Sequence, residues 1–259
     1  MTDTIRIADP EQEWLQTMGR GAVYAFLSRA LAYPTIRNQD EIEARLIPLV
    51  ERIQLPEPCG HLLKQALDAR RTTLDELVRA HGRVFTAVES QDCPSYETAF
   101  VPGDVFRQAH TMADVAGFYR AHGLAVGGVD RVRPDHIAAE MEFMGFMARK
   151  EAHAARHLTP GRVNECRKTQ RTFLREHLGA WGPGFGRRLA AVAEDPFYGV
   201  IGELLAEWLE LDMTTQRIEP TERLDQPMPQ PAPDDGSCGP ALDPRFGPSA
   251  ARDPVGKNA

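Results

Sequence analysis

Between Glu11 and Tyr33 the apolar side chains recur at three- and four-residue intervals. Leu15, Met18, Ala22, Val23, Phe26, Leu27, Ala30 and Leu31 fall on one helical face, and Pro34 follows where the helix must stop. The same spacing returns through Val105, Phe106, Ala109, Met112, Val115, Ala116 and Tyr119, with Gly123 as terminator. It returns again from Pro134 to about His157 and from Pro160 to about Leu178, and in a last stripe of Phe197, Val200, Ile201, Leu204, Leu205, Trp208 and Leu211 behind an Asp195-Pro196 start. Shorter stretches over 39 to 53, 58 to 70 and 73 to 87 are separated by proline or by Thr72-Thr73. No segment alternates apolar and polar residues between hairpin turns, and no internal repeat is visible. The spacing therefore predicts an all-α fold of roughly eight to ten helices. Residues 88 to 99 have no period and read as a loop. The four glycines and one proline of "GAWGPGFG", residues 179 to 186, predict a turn before a short helix over 187 to 193.

Composition sets the domain limits. Nine of the twenty prolines lie in residues 219 to 259, which hold few large apolar side chains. Such a segment cannot recover its ordering entropy, so it is expected to be a disordered, dispensable tail after a single helical domain over 1 to 218. A net charge of -7 disfavours nucleic acid and anionic membrane as partners. The chain has no apolar run long enough to span a bilayer and no signal peptide, so it is expected to stay in the cytoplasm. Its four cysteines form no C-x-x-C pair and are expected to be reduced and scattered.

Sites of chemistry are scarce. No glutamate has a histidine three positions on, which removes the di-iron bundle, and the H-E-x-x-H, P-loop, dinucleotide-binding and G-x-S-x-G patterns are all missing. His136 with Glu140, and His153 with His157, share helical faces and offer two metal ligands each, one or two short of a site. His153 and His157 also suit a solvated helix end, where cations favour the dipole. Tyr96 and Glu97 have the character of acid and base, with no nucleophile beside them. "RPDHIAAEMEFMGFMARKEA", residues 133 to 152, opens with Asp135 and His136 at a helix start. There Asp135 reads as the cap and His136 as a neutral ring near the positive end of the dipole, an arrangement that leaves both side chains open to a ligand.

Three segments together carry a resemblance: "HGRVF...CPSYETAF" at 81 to 100, the 133 to 152 stretch, and "FLREHLGAWGPGFGRRL" at 173 to 189. Over roughly residues 12 to 215 the chain resembles the TorD/DmsD/NarJ-type redox enzyme maturation chaperones, and within them the chaperones of type II dimethyl-sulfoxide-reductase-family enzymes. That resemblance implies a non-enzymatic, all-helical chaperone that binds the apo catalytic subunit of a molybdenum oxidoreductase, often at its twin-arginine leader, before export. No cofactor of its own is implied, since molybdopterin guanine dinucleotide belongs to the client. The client-binding residues implied are Val84, Phe85, Tyr96, Glu97 and Phe100 of the aromatic motif, with Pro134, Asp135 and His136. Leader arginines would seek carboxylates beside an apolar groove, a role open to Asp135 and Glu97. Two departures bear on leader preference: Arg133 stands where many relatives have an acid, and "CPSYET" where relatives often have two prolines and a tryptophan. The rival reading is a helical metal-binding protein or enzyme using His136 and Glu140.

Overall fold

A computed structural model describes residues 10–70, 73–85, 92–103, 105–125 and 133–228 of the chain. The stripe in residues 11 to 33 forms α1 (Pro10–Leu31), and its apolar face lies along α7 (Ile137–His157). Gly21 and Gly145 bring the two backbones together, for a Cβ on Gly145 would sit 3.2 Å from the Gly21 carbonyl oxygen. α8 (Pro160–Glu176) covers the other side of α7. α9 (Leu178–Val192) and α10 (Pro196–Gln216) pair as a second layer, and α4 (Cys59–Ala69) packs on α10. Between α1 and α4 the chain runs through α2 (Ile36–Glu41), a widened π turn over Ile42–Leu46, and α3 (Ile47–Val50). Pro48 lacks the N–H that the Ala44 carbonyl would have accepted, which accounts for the wide turn just before it. α5 (Leu74–Phe85) and α6 (Val105–Ala121) complete the helices, and the described residues contain no β-strand. The all-α expectation is met.

Trp181, Tyr24, Tyr198, Phe26, Phe100, Phe143, Phe173 and Phe185 fill the core where these helices converge. A buried polar network crosses it. Arg20 of α1 meets Glu151 of α7 at 2.9 Å and Gln170 of α8 at 2.6 Å, while Tyr24 donates to Asp212 of α10 at 2.6 Å. Each group is satisfied by another, so four helices share one register.

The structure corrects two expectations. Residues 179 to 186 do not turn: α9 runs unbroken through them, and all eight are buried. Their glycines serve close approach instead. A Cβ on Gly182 would lie 2.5 Å from Leu209 Cδ1, one on Gly186 would lie 2.7 Å from the Gly202 carbonyl oxygen, and one on Gly184 would lie 2.6 Å from Asp225 Cα. Asp225 belongs to the second correction. Residues 219 to 228, grouped with the tail by composition, lie against the helical body as a strap. Thr221 N–H donates to the Arg175 carbonyl at 2.9 Å, Leu224 N–H to Ala180 at 2.9 Å and Met228 N–H to Ala99 at 2.8 Å, while Arg187 pairs with Asp225 and Arg223 with Glu210. Proline content misled because a strap held by backbone bonds and a helix groove needs few apolar side chains of its own. Residues 229 to 259 lie outside the described residues. A chain ending at Ile218 is expected to melt several degrees below one ending at Met228, since three backbone bonds of about 1 kcal/mol each are lost, and a calorimetric melt of the two chains checks this.

Candidate functional site

The two motifs singled out in the sequence are joined by backbone. Tyr96 and His136 form an isolated antiparallel bridge, with Glu97 N–H donating to the Asp135 carbonyl at 2.9 Å and Ile137 N–H to the Ser95 carbonyl at 2.9 Å. The Tyr96 and His136 rings meet edge to face at 5.1 Å, and the Arg133 guanidinium lies 4.3 Å over the Tyr96 ring. A single 3-10 turn, Glu97–Ala99, follows the bridge, and Met228 of the strap anchors its far end. Tyr119 of α6 donates its hydroxyl to the Pro134 carbonyl at 2.8 Å, which holds the other side.

The cap of α7 is His136, not Asp135. His136 Nδ1 accepts the Ala138 N–H at 3.0 Å, so the ring must carry its proton elsewhere. Burial, with repulsion from His81, pushes the His136 imidazole down to about 4, which keeps that nitrogen an acceptor at neutral pH. Asp135 turns inward and is 0% exposed. It accepts from the Thr98 hydroxyl at 2.7 Å and from Arg133 Nε and Nη2 at 3.1 and 2.9 Å. Arg133 also donates to the Thr98 hydroxyl at 2.6 Å, closing a three-residue knot. The expectation that Asp135 stands open to a leader arginine is thus corrected: this chain already supplies the arginine, two residues before the acid.

Glu97 is also buried, and both its carboxylate oxygens lie 3.1 Å from His177 Nδ1. Burial pushes its carboxyl up, and His177 pulls against that. Glu140, the other half of the rival metal pair, is wholly buried on α7 and accepts from Trp181 Nε1 at 3.2 Å. Burial beside Glu97 and Asp135 holds its carboxyl well above the usual range. Among the described residues no three His, Cys, Asp or Glu side chains gather as a metal site.

Of the eight residues expected to bind, Tyr96, Pro134 and His136 reach the surface, partly covered, with Arg133 beside them. Phe100 is buried against Trp181, their rings 5.2 Å apart, and Val84 is buried in the core. Phe85 is buried in a file of rings: His81 lies 4.6 Å from it, and the exposed Tyr33 lies 5.4 Å from His81. Burial pushes His81 down to about 4, so this file is neutral. Cys93 gains no reactivity from its place near the loop, because burial pushes its thiol up to about 12. His153 and His157 lie exposed at the end of α7, their rings 4.7 Å apart. Reading the sequence alone missed Thr98, Asp114 and His177 as partners of the site, for none lies in the same helical repeat as the residue it supports.

The sequence is similar to those of known proteins. The model of the family described as nitrate reductase delta subunit matches residues 54–187. A perchlorate reductase assembly chaperone protein of Dechloromonas aromatica (strain RCB) is 24% identical over 212 residues, which cover 79% of this chain and 92% of that one. A selenate reductase assembly chaperone protein of Thauera selenatis is 37% identical over 100 residues, 38% of this chain and 49% of that one. The chaperone protein TorD of Shewanella amazonensis (strain ATCC BAA-1098 / SB2B) is 27% identical over 128 residues, 48% of each chain.

Proposed function

The chain belongs to the nitrate reductase delta subunit family, with the TorD/DmsD/NarJ-type chaperones, and from that premise we propose that it is a system-specific assembly chaperone of a molybdenum oxidoreductase. It performs no turnover. It binds the catalytic subunit of its client in the cytoplasm, before the molybdopterin cofactor is inserted and before export, and it grips the client through the twin-arginine leader.

The observation that carries this reading is the Tyr96–His136 bridge, which fuses two motifs distant in sequence into one surface element. Tyr96 with Arg133 over its ring, His136 and Pro134 are each partly exposed there. With His136 neutral and the nearby carboxylates turned inward, this surface suits the apolar run of a leader better than its guanidinium groups. The resemblances named in the relatives support a client among oxyanion-reducing molybdoenzymes. No helix among the described residues is long and apolar enough to cross a membrane.

Titration calorimetry of the full chain tests the proposal, using a synthetic twin-arginine leader peptide from the molybdoenzyme catalytic subunit encoded nearest to it in its genome. A saturable one-to-one isotherm is expected. Tyr96→Ala is expected to weaken it about ten-fold, the loss of one aromatic anchor of about 1.4 kcal/mol, with unchanged helical circular dichroism. Binding of the leaderless subunit at full strength, with no heat from the peptide, would move the contact to the client's mature fold.

A further inference from the structure

Glu97 follows directly on Tyr96, and its carboxylate is held from a point eighty positions away by His177. His177 is the junction residue between α8 and α9, with φ -130 and ψ -99, and it is buried. Its Nδ1 faces both oxygens of Glu97 at 3.1 Å, while Nε2 lies 3.3 Å from Asp114 Oδ2 of α6, off the line of an ideal hydrogen bond. Phe118 and Phe173 pack against the ring at 5.5 and 5.4 Å, and with their own centroids 5.2 Å apart they back it from one side as a pair.

We propose that His177 is the positioning residue of this surface: through its two ring nitrogens it clamps Glu97, and with it the Tyr96–His136 bridge, to α6 and to the α8–α9 junction. The inference rests on reading the bridge as the client surface, and it adds a residue that touches no client atom. The titratable and charged groups facing the clamp are Asp114 from α6, Glu97 from the turn, and, behind Glu97, Asp135 just before α7 and Glu140 on α7, with Arg133 on the far side of Asp135. Burial alone would lower the imidazole, but Glu97 and Asp114 outweigh it and hold His177 above its ordinary value. The sign follows. A raised folded value means that the imidazolium's contribution is present below about 6.5 and is lost as pH rises through the folded value, while far on the acid side protonation of Glu97, itself pushed up by burial, also ends the pair. The bridge therefore loosens on the alkaline side.

The experiment measures amide hydrogen-exchange protection in the full chain, together with leader-peptide affinity, at about pH 6.5 and about pH 8.5, for wild type, His177→Gln and Asp212→Asn. Asp212 is a buried acid in the α1–α10 network, remote from the bridge, and serves as the control for general destabilisation. In His177→Gln the Glu97 and Ile137 amides are expected to lose about ten-fold or more in protection at the lower pH, relative to amides in α1. Leader affinity is expected to fall in parallel, and both differences from wild type shrink at the higher pH. Asp212→Asn is expected to lower the melting temperature while leaving the two bridge amides and the affinity within about two-fold of wild type. Wild-type protection at both amides in His177→Gln overturns the clamp, whether or not the leader binds. Failure of wild type to bind the peptide, with bridge protection lost in His177→Gln, removes the leader reading and leaves the clamp standing.

Discussion

Gly202→Ala is expected to melt about 6 to 12 °C below the wild-type chain, the equivalent of about 3 kcal/mol or more from one added methyl group. The new Cβ would lie 2.5 Å from the Ala190 backbone nitrogen and 2.6 Å from the Gly186 carbonyl oxygen. Both are main-chain atoms inside α9, so no side chain can rotate to relieve the clash; α9 and α10 must separate. At Gly199, three residues earlier on the same helix, an added methyl group would meet nothing within 4 Å. Gly199→Ala is expected to be neutral or to stabilise by up to about 1 kcal/mol, because alanine loses less backbone entropy in a helix. The pair forms an internal control in thermal melts: opposite signs at 199 and 202 identify close approach, and equal losses would deny it.

Asp135→Asn is expected to destabilise the protein by about 2 kcal/mol, and Asp135→Ala by about 3 kcal/mol, since each breaks a buried acid's charge-assisted bonds to Arg133 and Thr98. The figures sit below those for a fully buried pair because Arg133 is 39% exposed and partly screened. Were Asp135 merely the cap of α7, asparagine would replace it at almost no cost. Client affinity should fall with both substitutions through loss of the bridge geometry. Because the carboxylate is buried and bonded to Arg133 and Thr98, the dependence of the remaining affinity on salt should match wild type. Chemical denaturation for stability and calorimetry at two ionic strengths check both parts. A stable Asp135→Asn protein whose binding had lost its salt dependence would return Asp135 to the surface role.

Much of the fold was legible because α1, α7 and α10 carry apolar side chains at helical spacing, and that spacing is a local property of the chain. The join at Tyr96 and His136 was legible only as resemblance, since nothing in either motif names its partner. The glycines of α9 defeated local reading for a definite reason. A glycine that lets the backbone turn and a glycine that lets another backbone approach look the same in sequence, and here the other backbone, at Gly202 and Asp225, comes later in the chain. Asp135 and His136 show the smallest version of the problem. Either can cap a helix, and the choice between them is made by Thr98 and Arg133, which hold the acid inside. His177 had no signal at all: a histidine at the end of one amphipathic helix gains its meaning from Glu97 and Asp114, which the fold brings to it.

The bond from Met228 N–H to the Ala99 carbonyl has a consequence for the chain as it is made. Translation supplies the loop bearing Tyr96 early and the strap that anchors it only after five helices, α6 to α10, so the loop waits through their synthesis before its support exists. A growing chain still short of residue 228 lacks the backbone bond that ties the strap to the 3-10 turn. If the Tyr96–His136 bridge is the client surface proposed above, competence to hold a client arrives only once residue 228 has been made.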